Sequence, residues 1–145
     1  GTDISTTTDI KNENKELINS VNENGHSPLI VAAYHNNTVM LKYLINQGAD
    51  VNYAFSQGAA IHGASFKGHL EAVTLLLDAG CAFDQPDQNG STPLIYATLF
   101  KHNEIAQLLL AKGADCHHKD NTGNSALSYA KSRKNKSLID LFTSK

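Results

Sequence analysis

Histidine is the residue type in this chain that most readily suggests chemistry near neutral pH. The chain has seven histidines, whose side chains exchange protons in this range and bind metal ions. His117 and His118 are adjacent, and adjacent side chains seldom point towards one metal ion, on a strand or on a helix. No Ser-His-Asp or Cys-His arrangement can be argued from residues scattered singly along the chain. We therefore expect no metal site, no catalytic centre and no cofactor, and we predict that the protein is not an enzyme.

Two cysteines and one basic run are the other candidates for chemistry. Cys81 and Cys116 are too few for a disulfide scaffold and lack the CxxC spacing of metal and redox sites, so we expect two small, half-buried side chains. The basic run KSRKNK, residues 131–136, is interpreted as a solvated cap, with an anion or nucleic-acid site as the alternative. None of these features indicates a reaction.

Length and charge narrow the class of protein. A chain of 145 residues is long enough for one domain with a moderate core. Its net charge of -2 gives no general electrostatic reason to bind nucleic acid or an anionic membrane. The longest apolar runs are far shorter than the roughly 20 residues of a membrane span. We expect a soluble monomer, cytoplasmic or extracytoplasmic, and the lack of an N-terminal methionine favours a removed signal peptide.

A period of 32 to 33 residues organises the chain. Four related strings share a third position, at Ser27, Ala59, Thr92 and Ser125, with spacings of 32, 33 and 33 residues. A second marker, a glycine followed by two small or acidic residues, recurs at Gly48, Gly80 and Gly113 with spacings of 32 and 33. A fixed period of this length is typical of stacked repeats.

Each unit is predicted to contain two helices and a turn. Pro28 or Pro93 opens a short first helix rich in small residues, because proline is tolerated in the first helical turn. A polar break follows, and a second helix carries leucine and isoleucine at helical spacing until a glycine ends it. The stretch before the next unit is rich in Asn, Asp, Gln and Gly and is predicted to be a turn. Two such helices cannot bury their apolar faces alone, so neighbouring units must stack.

The repeated pattern resembles the ankyrin repeat, whose consensus runs D-x-x-G-x-T-P-L-H-x-A-A-x-x-G-H and ends near L-L-L-x-x-G-A-D. The match extends from Asn22 to Phe142 and is clearest in DQNGSTPLIYATLFKHNEIAQLLLAKGAD. The resemblance implies an all-α solenoid of stacked helix-turn-helix units joined by β-hairpin-like turns. The expected divisions are a disordered N-terminus 1–8 and a single ankyrin-repeat domain 9–145, with a capping helix 9–21, repeats 22–53, 54–86 and 87–119, and a C-terminal capping repeat 120–145.

The resemblance also assigns roles to residues outside the leucine-rich helices. The expected buried face of the capping helix consists of Ile10, Leu17 and Ile18. The histidines that fall on structural columns of the family are His62, His69 and His102, which leaves His26 and His35 as candidates for surface contacts.

No unit keeps both the Thr and the His that brace the turn in the family. Units one and three keep Ser27 and Thr92 but have isoleucine in place of His. Unit two keeps His62 but has Ala59 in place of Thr, and it has Ala54 where the family has Asp. We therefore expect the turn of unit two to have an altered shape, either as a tolerated irregularity or because a partner shapes it.

The resemblance implies that a partner binds at the turn tips and at the exposed positions of the first helix, which line a concave groove. The candidate partner-binding residues are Tyr34, His35, Tyr53, Phe55, Phe66, Lys67, Gln88, Leu99 and Phe100. Five of the ten aromatic residues of the chain are in this set, where the repeat framework does not require them. Because aromatic side chains are enriched at interaction hot spots, we predict an aromatic stripe that binds a protein. The alternative is that Tyr34 and Phe66 fold onto the neighbouring helix as additional core.

Three functions follow from this sequence. The first is a non-enzymatic protein–protein interaction module for a partner of unknown identity, with an inhibitory or immunity-type role as its more specific version. The second is a structural or accessory scaffold, or an anchor, for another protein. An enzyme is the third. No nucleic-acid partner and no membrane insertion are expected, and the many asparagines and irregular units favour a bacterial source.

Overall fold

The computed structural model describes residues 17–144, and residues 28–143 form eight helices and one short hairpin. In chain order these elements are α1 (Pro28–Tyr34), α2 (Thr38–Asn46), β1 (Ala54–Phe55), β2 (Gly58–Ala59), α3 (Ala60–Lys67), α4 (Leu70–Asp78), α5 (Pro93–Leu99), α6 (Asn103–Ala111), α7 (Ala126–Ser132) and α8 (Lys136–Thr143). The helices form four consecutive pairs, each with a first and a second helix.

The four pairs stack into two layers. The first helices α1, α3, α5 and α7 pack side by side in chain order, and the second helices α2, α4, α6 and α8 form the other layer in the same order. Small residues allow the first helices to lie close together, because one alanine per unit is buried at the same register, at Ala32, Ala64, Ala97 and Ala130. The arrangement is the all-α solenoid that the sequence predicts.

Hydroxyl groups begin three of the first helices. The side chains of Ser27, Thr92 and Ser125 each accept a hydrogen bond from the backbone N–H three residues further on. Helix α3 follows Ala59, which has no such group. There the buried ring of His62 accepts a hydrogen bond from the Ala59 N–H at Nδ1, over 3.0 Å. Three of the four second helices, α2, α4 and α6, are followed as expected by a glycine with a positive φ angle, at Gly48, Gly80 and Gly113.

The turn of unit two differs from the other turns, as the sequence predicts. In the other three units, one side-chain oxygen of Asn22, Asp87 or Asp120 accepts hydrogen bonds from two backbone N–H groups of its turn. Ala54 has no oxygen for this role. Strands β1 and β2 instead pair antiparallel, with Ala54 opposite Ala59 and Phe55 opposite Gly58. Backbone pairing thus replaces the side-chain bonds that hold the other turns.

The N-terminal capping helix is described only from Leu17 onward. Leu17 and Ile18 are helical, and Ile18 is half-buried against the core. Leu17 is 66% exposed, so its predicted place on the buried face is wrong, because Ile18 takes the position that faces the core. Ile10 and the predicted disordered segment 1–8 lie outside the described residues. Among residues 17–144, no helix combines the length and the apolar character that a bilayer crossing requires.

Candidate binding surface

Three aromatic rings of the predicted stripe stay partly open to solvent. Tyr34 ends helix α1, Phe66 lies in the last turn of α3, and Phe100 directly follows α5. Their exposed fractions are 40%, 39% and 47%. Because a core side chain would be almost fully covered, these rings are surface groups and not an extension of the core.

The rings of units two and three contact one another. The centroids of Phe66 and Phe100 lie 4.8 Å apart with an interplanar angle of 71°, an edge-to-face contact. Phe66 also meets the ring of Tyr96 edge-to-face, at 5.9 Å. The sequence reasoning did not select Tyr96, which lies within helix α5 and donates a hydrogen bond from its hydroxyl to the carboxylate of Asp87. Burial, followed by this bond, raises the pKa of Tyr96 to about 12.

A pocket opens beside this cluster, and we call it the Gly63 pocket. It has a volume of about 420 Å³, and its lining includes Tyr34, Gly63, Phe66 and Tyr96. Aligning the four units shows its origin, because the register position of Gly63 carries a side chain in the other units, namely Val31, Tyr96 and Tyr129. Unit two leaves this position empty, and an added Cβ there would meet only Tyr34, whose ring carbon Cδ2 would lie 3.5 Å away. The gap is visible in the sequence only when this column is compared across the four units.

Three other predicted residues are largely engaged in holding the fold. Tyr53, Phe55 and Leu99 are half-buried against the core. The Tyr53 hydroxyl donates a hydrogen bond to the carbonyl oxygen of Gly25 over 2.7 Å, and the Phe55 ring packs edge-to-face on His26 at 4.5 Å. These contacts join the turns of units one and two. The part of each side chain that remains available to a partner is correspondingly small.

The remaining predicted residues are exposed. Gln88 lies at the tip of the third turn, where its backbone N–H donates to the carbonyl oxygen of Ser56 in the second turn over 3.0 Å. His35 follows helix α1, and its ring meets that of Tyr34 edge-to-face at 5.3 Å. Lys67 places its Nζ atom 5.1 Å from the centroid of the Tyr34 ring, a cation–π contact. Lys67 does not line the Gly63 pocket itself, but its ammonium group lies over the ring of Tyr34, which does.

Acidic residues within the helices are confined to one of the two layers. The four first helices contain no acidic residue, whereas each of the second helices α4, α6 and α8 contains at least one. At the C-terminal ends of the first helices, exposed basic side chains form what we call the basic edge, which consists of Lys67, Lys101, Lys131, Arg133 and Lys134. These positions include half of the KSRKNK run that the sequence interprets as a solvated cap.

Two histidines link neighbouring units at the stripe. The Nε2 atoms of His69 and His102 lie 3.0 Å and 3.1 Å from the carbonyl oxygens of Tyr34 and Phe66, respectively. Each ring therefore holds the backbone of a stripe residue in the preceding unit. These are the structural positions that the sequence assigns to the two histidines.

The cysteines show no sign of a reactive site. Both are buried rather than half-buried, with exposed fractions of 5% for Cys81 and 6% for Cys116, because each packs into the core after a second helix. Burial raises the pKa of Cys81 to about 11 and also raises the pKa of Cys116, which disfavours the nucleophilic thiolate. Within residues 17–144 there is no cluster of three or more His, Cys, Asp or Glu side chains that could hold a metal ion.

Comparison with known proteins gives a consistent result. A family model described as ankyrin repeats (3 copies) matches residues 8–87 and 61–145. Protein fem-1 homolog A-like of Mus musculus is 32% identical over 91 residues, which is 62% of this chain and 14% of that protein. Cortactin-binding protein 2 of Rattus norvegicus is 40% identical over 65 residues, 43% of this chain and 4% of that protein. Ankyrin repeat and SOCS box protein 3 of Homo sapiens is 36% identical over 74 residues, 48% of this chain and 14% of that protein.

The chain thus spans 14% or less of the length of these relatives. All three come from mammals, so the bacterial source expected from composition stays a prediction.

Proposed function

The chain belongs to the ankyrin-repeat family, whose repeats are protein–protein interaction modules, and we propose that it binds a protein partner through the aromatic stripe. The observation that carries this proposal is the solvent-exposed contact between Phe66 and Phe100, which join units two and three. A folded domain gains little by leaving two contacting rings half-open to water. A partner that covers them gains large contact area at low entropic cost.

The backbone under the stripe is fixed before a partner arrives. His69 and His102 bind the carbonyl oxygens of Tyr34 and Phe66, and the alanines of the first helices are buried beneath them. Rigid presentation reduces the conformational entropy that binding costs. This supports a function by binding alone, in which the domain blocks the active surface of another protein, as an inhibitor or immunity-type protein does. The proposal does not involve catalysis by this domain.

Affinity capture with a double variant tests the proposal. Immobilised wild-type protein and the variant Phe66→Ala/Phe100→Ala are exposed to an extract of the source organism, and bound proteins are identified by mass spectrometry. We expect at least one protein that is retained by the wild type and lost from the variant, because truncating a hot-spot aromatic residue typically costs about 2 kcal/mol or more in binding.

Tyr43→Ala is the matched control. Tyr43 is 55% exposed on helix α2, in the other layer, so its truncation removes an equally exposed ring outside the stripe. This control variant should retain the partner. Equal retention by the double variant would contradict the proposal, and so would a partner lost equally from both variants.

The strength of the complex separates the inhibitor from a scaffold. An inhibitor that acts by occlusion forms a tight complex with one protein and abolishes that protein's activity. A scaffold forms weaker contacts with several proteins and leaves their activities intact. Titration of the purified partner, with its activity measured in parallel, distinguishes these outcomes.

A further inference from the structure

We propose that the Gly63 pocket receives one apolar side chain of an acidic peptide segment, whose carboxylates pair with Lys67 and the rest of the basic edge. This inference rests on the proposed function, because the pocket adjoins the aromatic stripe. It adds the chemistry of the partner, which the stripe alone does not specify.

The size and lining of the pocket define the apolar part of this ligand. Its volume of about 420 Å³ is near the lower end of the range for ligand sites, which is roughly 300–1,000 Å³. Its wall is mainly apolar, the rings of Tyr34, Phe66 and Tyr96 are among the residues that line it, and the position of Gly63 contributes no side chain. Such a space has ample room for a leucine, methionine or phenylalanine side chain, anchored as hot-spot residues are in desolvated pockets.

The charges around the pocket define the polar part. The ammonium group of Lys67 lies over Tyr34, a residue that lines the pocket, and Lys101 continues the basic edge beyond Phe100. The carboxylates of the neighbouring turns are already engaged, because Asp87 and Asp120 each accept two backbone N–H bonds and a tyrosine hydroxyl bond. These bonds occupy the carboxylate oxygens but leave their negative charge in place, so an acidic ligand is attracted by the exposed lysines of the basic edge, with Lys67 nearest the pocket.

A cationic ligand fits this surface poorly, although aromatic walls attract cations in general. The ammonium group of Lys67 already lies over the Tyr34 ring, at 5.1 Å from its centroid. A second cation in the pocket would be repelled by Lys67. The same lysine attracts a carboxylate beside the apolar side chain, so the charge favours an acidic segment.

Selection from a random peptide library displayed on phage tests the inference. The library is enriched on the wild-type protein and, in parallel, on Gly63→Leu, in which the new side chain fills the pocket. We expect peptides selected on the wild type alone to combine one Leu, Met or Phe with several Asp or Glu residues. The most enriched peptide is then synthesised with a fluorescent label, and its dissociation constant is measured by anisotropy.

The expected changes in the dissociation constant are specific to each substitution. Gly63→Leu should weaken binding by about 30-fold or more, the loss of a hot-spot anchor. Lys67→Glu should weaken binding by roughly 10-fold, and this difference should shrink as the salt concentration rises. Lys42→Glu makes the same charge change on the exposed face of helix α2, outside the proposed site, and should change the constant by no more than about twofold.

The pocket-filling variant is expected to fold, because units one, three and four carry Val31, Tyr96 and Tyr129 at the same register. A thermal melt of Gly63→Leu verifies this, and Gly63→Val, which copies unit one, is the second variant.

The inference is overturned if no peptide is enriched, if the enriched peptides lack acidic residues, or if they bind Gly63→Leu as tightly as the wild type. Any of these results leaves the proposed function standing when capture of the protein partner is still lost in Phe66→Ala/Phe100→Ala. Capture that survives in that double variant overturns the proposed function instead.

Discussion

The ring of His62 joins the start of helix α3 to the loop that precedes unit three. Its Nδ1 atom accepts the backbone N–H of Ala59 over 3.0 Å, so the proton of the neutral ring lies on Nε2, which donates to the carbonyl oxygen of Gln85 over 2.7 Å. Only the neutral ring can make both bonds, because a protonated ring has no acceptor. This pair of bonds connects the start of helix α3 to the loop that leads into unit three, and it makes that connection sensitive to pH.

Replacement of this ring should therefore destabilise the protein. His62→Ala removes both hydrogen bonds and a buried ring, and we expect it to lower the free energy of unfolding by about 2–4 kcal/mol. Chemical denaturation at pH 7.5 measures the loss. A variant as stable as the wild type would show that the two bonds contribute nothing.

The stability of the wild type should also fall as the pH drops below 6.5. Burial lowers the pKa of His62 below its ordinary value of 6.5, although the Gln85 carbonyl and the Asp87 carboxylate act in the opposite direction. The unfolded chain thus binds this proton at a higher pH than the folded chain does. The stability that the neutral His62 ring contributes is complete above pH 6.5 and is lost as the pH falls through the lowered pKa. Denaturation curves recorded between pH 5 and 7.5 give the free energy of unfolding at each pH. This free energy should change less with pH for His62→Ala than for the wild type.

Asp84→Asn should stabilise the protein at neutral pH. The Oδ2 atom of Asp84 accepts the Asp115 N–H over 3.1 Å, but Oδ1 is buried without a hydrogen-bond partner among the described residues. Burial is the main reason that the pKa of Asp84 is raised, so the folded protein loses stability as the pH rises from 3.8 through the raised value. Asn52 shows that an amide suits this register, because its Oδ1 atom accepts the Ala82 N–H over 2.7 Å.

The gain in the free energy of unfolding from Asp84→Asn should be largest at pH 7. It should shrink towards pH 4, where the wild-type carboxyl becomes protonated. Thermal melts over this range provide the measurement. A variant that is less stable than the wild type at pH 7 would indicate that attraction to His118 outweighs the cost of burial.

Gly63→Ala should raise the stability of helix α3. Alanine is better than glycine in a helix interior by about 1 kcal/mol, and the new Cβ would make an ordinary contact with Tyr34 at 3.5 Å. Gly58→Ala is the contrasting variant, because Gly58 has a φ of 100° and an added Cβ would lie 2.4 Å from the His62 ring. We expect Gly58→Ala to destabilise the protein. Urea denaturation of both variants in parallel measures the two changes in the free energy of unfolding. A Gly63→Ala variant that is less stable than the wild type would mean that the helix is strained at this position.

Phe66→Ala should have a smaller effect on stability than a core substitution does. The Phe66 ring is 39% exposed, so its truncation should cost no more than about 1–2 kcal/mol. Leu94→Ala, at a fully buried position of helix α5, should cost about 2–5 kcal/mol. Equal losses in the two variants would place Phe66 in the core and remove the argument for a binding surface.

The period of the sequence was sufficient to predict the helix pairs, because Pro28, Pro93 and the glycines after the second helices are local signals. The turn of unit two could be predicted to differ, since the side chain of Ala54 cannot accept hydrogen bonds. The resemblance predicts hairpin-like turns in general, but not that strands pair at this turn in particular. Pairing depends on the backbone of both arms and not on one side chain.

The binding surface was harder to predict than the fold. Exposure of Tyr34, Phe66 and Phe100 followed from their register in the repeat. The engagement of Tyr53 did not, because its hydroxyl reaches the carbonyl of Gly25 in the preceding turn, 28 residues earlier. The Gly63 pocket is an absence of side-chain volume, and a single unit read by itself does not reveal it.

The hydrogen bonds between units have a mechanical consequence. The N–H groups of Asp50, Ala82 and Asp115 are bound by side chains 30 or 31 residues earlier, those of Asn19, Asn52 and Asp84. Each bond connects a unit only to the one before it. A pulling force applied to the two chain ends therefore acts on these junctions in series. Stretched in this way, the array yields at its weakest junction and lengthens in steps. A repeat of 33 residues releases roughly 110 Å of extended chain at each step.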